Sequence, residues 1–187
     1  NDIFINMSYT LVIVESPAKC KKIENYLGDN YKCIASYGHF CQLDGLKSID
    51  IENNFKPTFT LMESKEQQVE KMRKMIDRAD DVMLAADDDR EGEAIAWHIC
   101  NHFNLPVNTT KRIIFHEITK PALLKAVADP TTVNMDVVYA QQSRQILDML
   151  VGFYISPILW KKISQNTKTG LSAGRCQTPA LRLVYEN

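Results

Sequence analysis

The most constraining stretch of the chain is Asp81–Phe103, where the apolar run Val82–Ala86 ends in three consecutive aspartates and then in a segment with helical spacing. A short apolar run bounded by charge reads as a buried strand, because it is too short for a helix. The same order recurs near the start. Thr10–Val14 is apolar and β-branched, Glu15 follows directly, and Ser16-Pro17 caps and opens a helix to Leu27 that Gly28 stops. Buried strands alternating with helices specify an α/β fold with a mainly parallel sheet. Further strands are expected at Tyr31–Ser36 and Lys111–Phe115, with a weaker extended segment at Phe55–Leu61. Helices are expected at Glu63–Arg78, with Val69, Met72 and Ile76 on one side, at Arg90–Phe103, and from Thr119 and Pro121 to Ala128. Gly92 reads as a mild flaw in the second of these.

The pattern changes after Asp129-Pro130. From Met135 to Tyr185 the spacing is helical, Pro157 is expected to end one helix and start the next, and Asn166–Gly174 reads as a polar loop. We therefore expect an α/β domain over residues 8–130 and the beginning of a helical one over 131–187. Asn1–Asn6 match nothing that follows, so Met7 is a candidate native start. No apolar run approaches the roughly 20 residues of a membrane helix, and no signal peptide opens the chain. Cys20, Cys33, Cys41, Cys100 and Cys176 are odd in number, scattered and without a CxxC pair, which disfavours a disulfide framework or structural zinc. A reducing, cytoplasmic compartment follows as the expectation, and a monomer as the expected state.

Charge is distributed unevenly although the net charge is only −1. Eight acids stand between Asp77 and Glu93 against Arg78 and Arg90, whereas from Arg144 onward six bases face Asp148 and Glu186. Such a split suits a protein that holds a cation at one place and phosphates at another. In parallel sheets ligands gather beyond the carboxyl ends of the strands. If the first strand and the Asp81–Ala86 strand are neighbours, Glu15 and Asp87, Asp88 and Asp89 converge, and a hard divalent cation, best Mg2+, would relieve their repulsion. Helix capping explains one or two of these acids, not the whole set with Glu15 opposite. A response-regulator phosphoacceptor would want an acid pair after the first strand, and a haloacid-dehalogenase fold a D-x-D-x-T nucleophile; neither is present. By spacing alone Lys19 is equally a phosphate ligand, facing the same way as Glu15, or a solvent-facing lysine beside Lys21 and Lys22.

VIVESPAKCKKIENYLG, SYGHF, DIENNFKP, AADDDREGEAIAWH, IIFHEIT, AQQSRQILDMLVG and LSAGRCQTPALRLV occur in the order in which similar segments occur in type IA DNA topoisomerases. The chain resembles the amino-terminal part of that family, nearest its bacterial topoisomerase I branch, from about Leu11 to Glu186. The resemblance implies a Toprim domain, Rossmann-like, followed by the start of a helical domain that leads DNA to the active site. It implies that Glu15 donates a proton to the leaving 3′ oxygen and that Lys19 stabilises the scissile phosphate. Asp87, Asp89 and Glu91, with Glu15 beside them, would hold Mg2+; Arg144, Asp148, Arg175 and Gln177, with His39 in the matched loop, would contact single-stranded DNA. The chain departs from the family pattern at Asp88, at Asp44-Gly45 and at Thr178-Pro179. The implied activity is transient single-strand cleavage through a 5′-phosphotyrosine link, strand passage and resealing, which relaxes negatively supercoiled DNA without ATP. None of the seven tyrosines is followed by a Met-Arg-Thr-Asp-Ser-like run, so the chain alone is expected to be inactive. Tyr26, Tyr139, Tyr154 and Tyr185 fall on predicted helices, where packing is the simpler role, and so does Trp160. Another Toprim nuclease or primase, or a non-catalytic module binding single strands, are the rival readings.

Overall fold

The computed structural model describes residues 8–163 and 170–187. The expectations for Asn1–Asn6 and Met7, and for residues 166–169 of the polar loop, lie outside them. In chain order the elements are β1 (Thr10–Val14), α1 (Pro17–Leu27), β2 (Tyr31–Ala35), β3 (Cys41–Leu43), β4 (Ile49–Asp50), β5 (Lys56–Pro57) and β6 (Phe59–Leu61). There follow α2 (Glu66–Ile76), β7 (Asp81–Ala85), α3 (Arg90–Phe103), β8 (Lys111–Arg112), α4 (Lys120–Ala128), α5 (Met135–Lys162) and α6 (Gln177–Glu186).

The chain divides into two compact units. The first comprises Asn1–Gln42 and Leu61–Tyr139, the second Leu43–Thr60 and Ala140–Asn187. In the first unit a four-stranded parallel sheet runs in the order β2-β1-β7-β8. β1 is central, and Leu11, Val12, Ile13 and Val14 are all buried, as expected of a parallel strand covered on both faces. Strand periodicity sorts its side chains. Leu11 and Ile13 join Leu84, Val69, Met72, Ile95 and Ile99, which come from β7, α2 and α3. Val12 and Val14 join Met83, Ala85, Ile23, Leu123 and Ala126, from β7, α1 and α4. Each fully buried Leu, Ile or Met contributes about 1.5–3 kcal/mol relative to leaving it in water. Cys20 on α1 and Cys33 on β2, both free thiols, share a side-chain hydrogen bond.

Several elements differ from expectation. Ser16 takes the N-cap position of α1 but makes no side-chain cap bond, so Pro17 alone marks that start. The last strand is only Lys111–Arg112, although the Ile113 amide still donates to Leu84 O at 2.8 Å. The extended segment near Phe55–Leu61 is broken at Thr58 into β5 and β6. Thr119 does cap α4, accepting from the Ala122 amide at 3.4 Å.

In the second unit β4 and β5 pair antiparallel, and the Thr58 amide donates to Ser48 O at 2.8 Å. Pro157 does not end a helix. It lies inside α5, which runs unbroken to Lys162 at the cost of one backbone hydrogen bond. The Ala173 amide donates to Ser156 Oγ at 3.0 Å, and the Trp160 indole donates to Leu171 O. Within this chain Tyr139, Tyr154, Trp160 and Tyr185 are exposed, whereas Tyr26 packs against the α1 side of the sheet. No described helix is long and apolar enough to cross a membrane.

Candidate active site

Strand order creates the site. The chain steps from β1 to β2 on one side and later places β7 on the other side of β1, so the order reverses between β1 and β7, where α/β sheets open a crevice. Val14 pairs with Ala85, so Glu15 leaves β1 at the level where Ala86 and Asp87 leave β7. The Gly38 amide donates to Glu15 O at 3.3 Å, which draws the loop after β2 to the same end.

Glu15, Lys19, His39, Asp87, Asp89 and Glu91 all belong to the first unit, and the electrostatics tie them together. Burial raises the Glu15 carboxyl above its ordinary range; the negative charges of Asp87 and then Asp89 add to this, and Lys19 and His39 oppose it. Each of the other acids rests on a protein group. Asp87 pairs with Lys19. Asp89 is the N-cap of α3, accepting from the Gly92 amide at 2.7 Å. Glu91 meets His39 Nε2 at 2.9 Å. Asp88 is exposed, 3.8 Å from His116. Among the described residues no three His, Cys, Asp or Glu side chains are grouped so as to hold an ion. The donor set nevertheless fits a hard divalent cation. It is all oxygen, and a cation near Glu15 would offset the Asp87 and Asp89 charges that, after burial, raise its carboxyl.

Two supports of this site were not read from the sequence. Arg112 on β8 is 0% exposed and donates through Nη1 to Ala86 O at 2.7 Å and Ile113 O at 2.9 Å. Its Nη2 donates to Asp87 O at 2.8 Å, and its Nε to Glu93 at 3.2 Å. The other Glu93 oxygen accepts from the Asn134 amide at 2.5 Å. A buried guanidinium thus holds the carbonyls from which the acidic turn departs. An arginine inside an apolar strand run and a glutamate on an apolar helix face were the available signals, since buried charges demand partners. The second support is Gly92, where an added Cβ would stand 2.1 Å from Asp87 O.

The remaining expected residues lie in the second unit. Asp148 accepts from Arg175 Nε at 2.8 Å and Nη2 at 3.4 Å, and Arg144 Nε stands 3.9 Å away on the same helix face. The Asp148 hydrogen bond and charge raise the Arg175 guanidinium further above its ordinary value. Gln177 opens α6, with its Oε1 3.3 Å from Ser172 Oγ. Arg144, Asp148, Arg175 and Gln177 are all exposed, the last three around the LSAGR segment.

Residues 10–118 match the family model described as Toprim domain, and residues 132–187 the model described as DNA topoisomerase. The chain is also similar to a solved structure of full-length topoisomerase I from Thermotoga maritima, at 42% identity and a TM-score of 0.84. The alignment covers 94% of this chain and 29% of that one, so the chain spans less than a third of the relative's length. A Toprim sheet with acids at its switch point, continued by a topoisomerase segment, leaves one assignment: the chain belongs to the type IA DNA topoisomerases and corresponds to their amino-terminal part.

Proposed function

We propose that the whole protein cuts one DNA strand by transesterification, passes a strand and reseals, relaxing negatively supercoiled DNA without ATP. A tyrosine hydroxyl supplied by the whole protein attacks phosphorus and gives up its own proton to solvent as the new O–P bond forms, the bond to the 3′ oxygen breaks, and Glu15 gives that oxygen a proton. Lys19 exchanges Asp87 for a phosphate oxygen. Asp87, Asp89 and Glu91, with Glu15, hold Mg2+, which when bound neutralises and orients phosphate. Arg144, Asp148, Arg175, Gln177 and His39 bind single-stranded DNA, the arginines through its backbone. None of this chain's seven tyrosines serves as the nucleophile, so the chain alone neither cleaves nor relaxes DNA. It needs no zinc, works as a monomer, and acts in a reducing compartment that contains DNA.

The observation that carries this reading is the placement of Glu15 across the β1–β7 switch point from Asp87, with Lys19 paired to that aspartate. The test is Glu15→Gln in the full-length parent. Single-turnover cleavage and religation should fall far more than binding of single-stranded DNA. Near-parental cleavage would remove Glu15 from catalysis. Strand scission without a covalent protein–DNA adduct would mark a nuclease instead, and binding without scission a non-catalytic module.

A further inference from the structure

Gln67, Gln68 and Lys71 recur at intervals of three and four along the start of α2, so they share one face, and Ser64 stands in the 3-10 turn just before it. Val69 and Met72 bury the other face in the core. The polar face, together with Lys65 and Tyr37, lines an open cavity of about 460 Å³ within the first unit.

Tyr37 is unusual in two respects. Its φ is +59°, a left-handed backbone that bulky residues seldom adopt, yet the residue stays 52% exposed. The backbone is held there from outside. Lys65 Nζ donates to Tyr37 O at 2.6 Å, and the Gln68 amide group donates to Ala35 O. A strained residue fixed so as to present an aromatic face to solvent points to use of that face. The next amide along, that of Gly38, is the one bonded to Glu15 O at 3.3 Å. Lys71 is exposed and makes no ion pair among the described residues, whereas the neighbouring Glu70 is occupied by Lys74 at 3.4 Å.

An aromatic face, a free ammonium and the Gln67 amide around one small cavity match an unpaired nucleotide: base on ring, phosphate on lysine, base edge on Gln67. We propose that this cavity is a subsite for one nucleotide of the DNA strand flanking the cleavage point, with its base stacked on Tyr37 and its phosphate on Lys71. The subsite rests on the DNA-cleaving function proposed above and adds to it a contact on the Toprim unit.

The test uses the 187-residue chain and a fluorescent thymidine oligonucleotide, with anisotropy read at several salt concentrations. Tyr37→Gly deletes the ring and relieves the left-handed backbone, so it should weaken binding about tenfold while leaving the thermal midpoint unchanged or higher. Tyr37→Phe should bind within about twofold of the parent, because the stacking face remains. Lys71→Gln should flatten the dependence of log affinity on log salt by about one phosphate contact. Thymidine monophosphate should compete only weakly; competition equal to that of the oligonucleotide would make this a free-nucleotide site and overturn the proposal. Parental affinity in both Tyr37→Gly and Lys71→Gln, with binding lost in Arg144→Ala plus Arg175→Ala, would overturn the subsite and leave the proposed function standing. A parent chain that fails to bind the oligonucleotide even at low salt would overturn both.

Discussion

Gly92 lies so close beneath Asp87 that a methyl group on it would stand 2.1 Å from the Asp87 carbonyl oxygen, 2.8 Å from its nitrogen and 2.9 Å from its carbonyl carbon. All three are backbone atoms, so no side chain can swing aside. In an ordinary exposed helix a glycine-to-alanine change gains about 1 kcal/mol from helix propensity. Here the close approach should reverse the sign. Gly92→Ala is expected to destabilise the protein by about 3 kcal/mol, in the upper range for overpacking, read as a lowered midpoint in thermal or urea unfolding. Unchanged or increased stability would mean that the Asp87 turn moves freely.

The Arg112–Glu93 pair predicts a non-additive result. Arg112→Met should cost about 3–5 kcal/mol, because it strands the buried Glu93 carboxylate and leaves Ala86 O and Asp87 O without their donor. Adding Glu93→Gln removes the orphaned charge while keeping an acceptor for the Asn134 amide, so the double variant should be more stable than Arg112→Met alone. Denaturation of the four proteins in a double-mutant cycle decides it. Additive costs would dissolve the pair.

His98 predicts an acid sensitivity. Burial, followed by the charges of His39 and His102, lowers its pKa from 6.5 to about 4. Between those values the unfolded chain binds a proton that the folded chain refuses, so stability rises with pH across the window. The contribution is fully present above pH 6.5 and falls by about 3 kcal/mol as the pH drops to about 4. Urea midpoints through this range should fall more steeply for the parent than for His98→Gln, and parallel profiles would exclude His98 as the source.

Mg2+ should raise the thermal midpoint of the chain by binding the folded state. Asp87→Asn with Asp89→Asn should abolish that shift. Asparagine is as good an N-cap as aspartate, so the start of α3 survives the change. Without metal the double variant should be at least as stable as the parent, because charges facing Glu15 have been removed. Equal Mg2+-dependent shifts in the two proteins would exclude both aspartates as ligands.

Much of the first unit was legible in the sequence because its strands are buried on both faces. Thr10–Val14 and Val82–Ala86 read as apolar runs, and the acids at their ends are fixed by chain order alone. The start of α3 was equally legible, since an aspartate before a helical segment is a local cap signal. Local pattern records which face of an element avoids water; it does not record which distant element covers that face. Only the tertiary structure made β7 the neighbour of β1, and with it set Glu15 across from Asp87. The same holds for Gly92, whose value depends on one carbonyl, and for Arg112, whose burial is stabilised by Glu93 nineteen residues away. It holds also for Leu43–Thr60, which joins Ala140–Asn187 rather than its sequence neighbours, and for Tyr154 and Trp160, whose helix leaves them exposed. Periodicity is set by neighbours three or four residues apart, whereas site geometry is set by contacts whose energy exists only once remote segments have met.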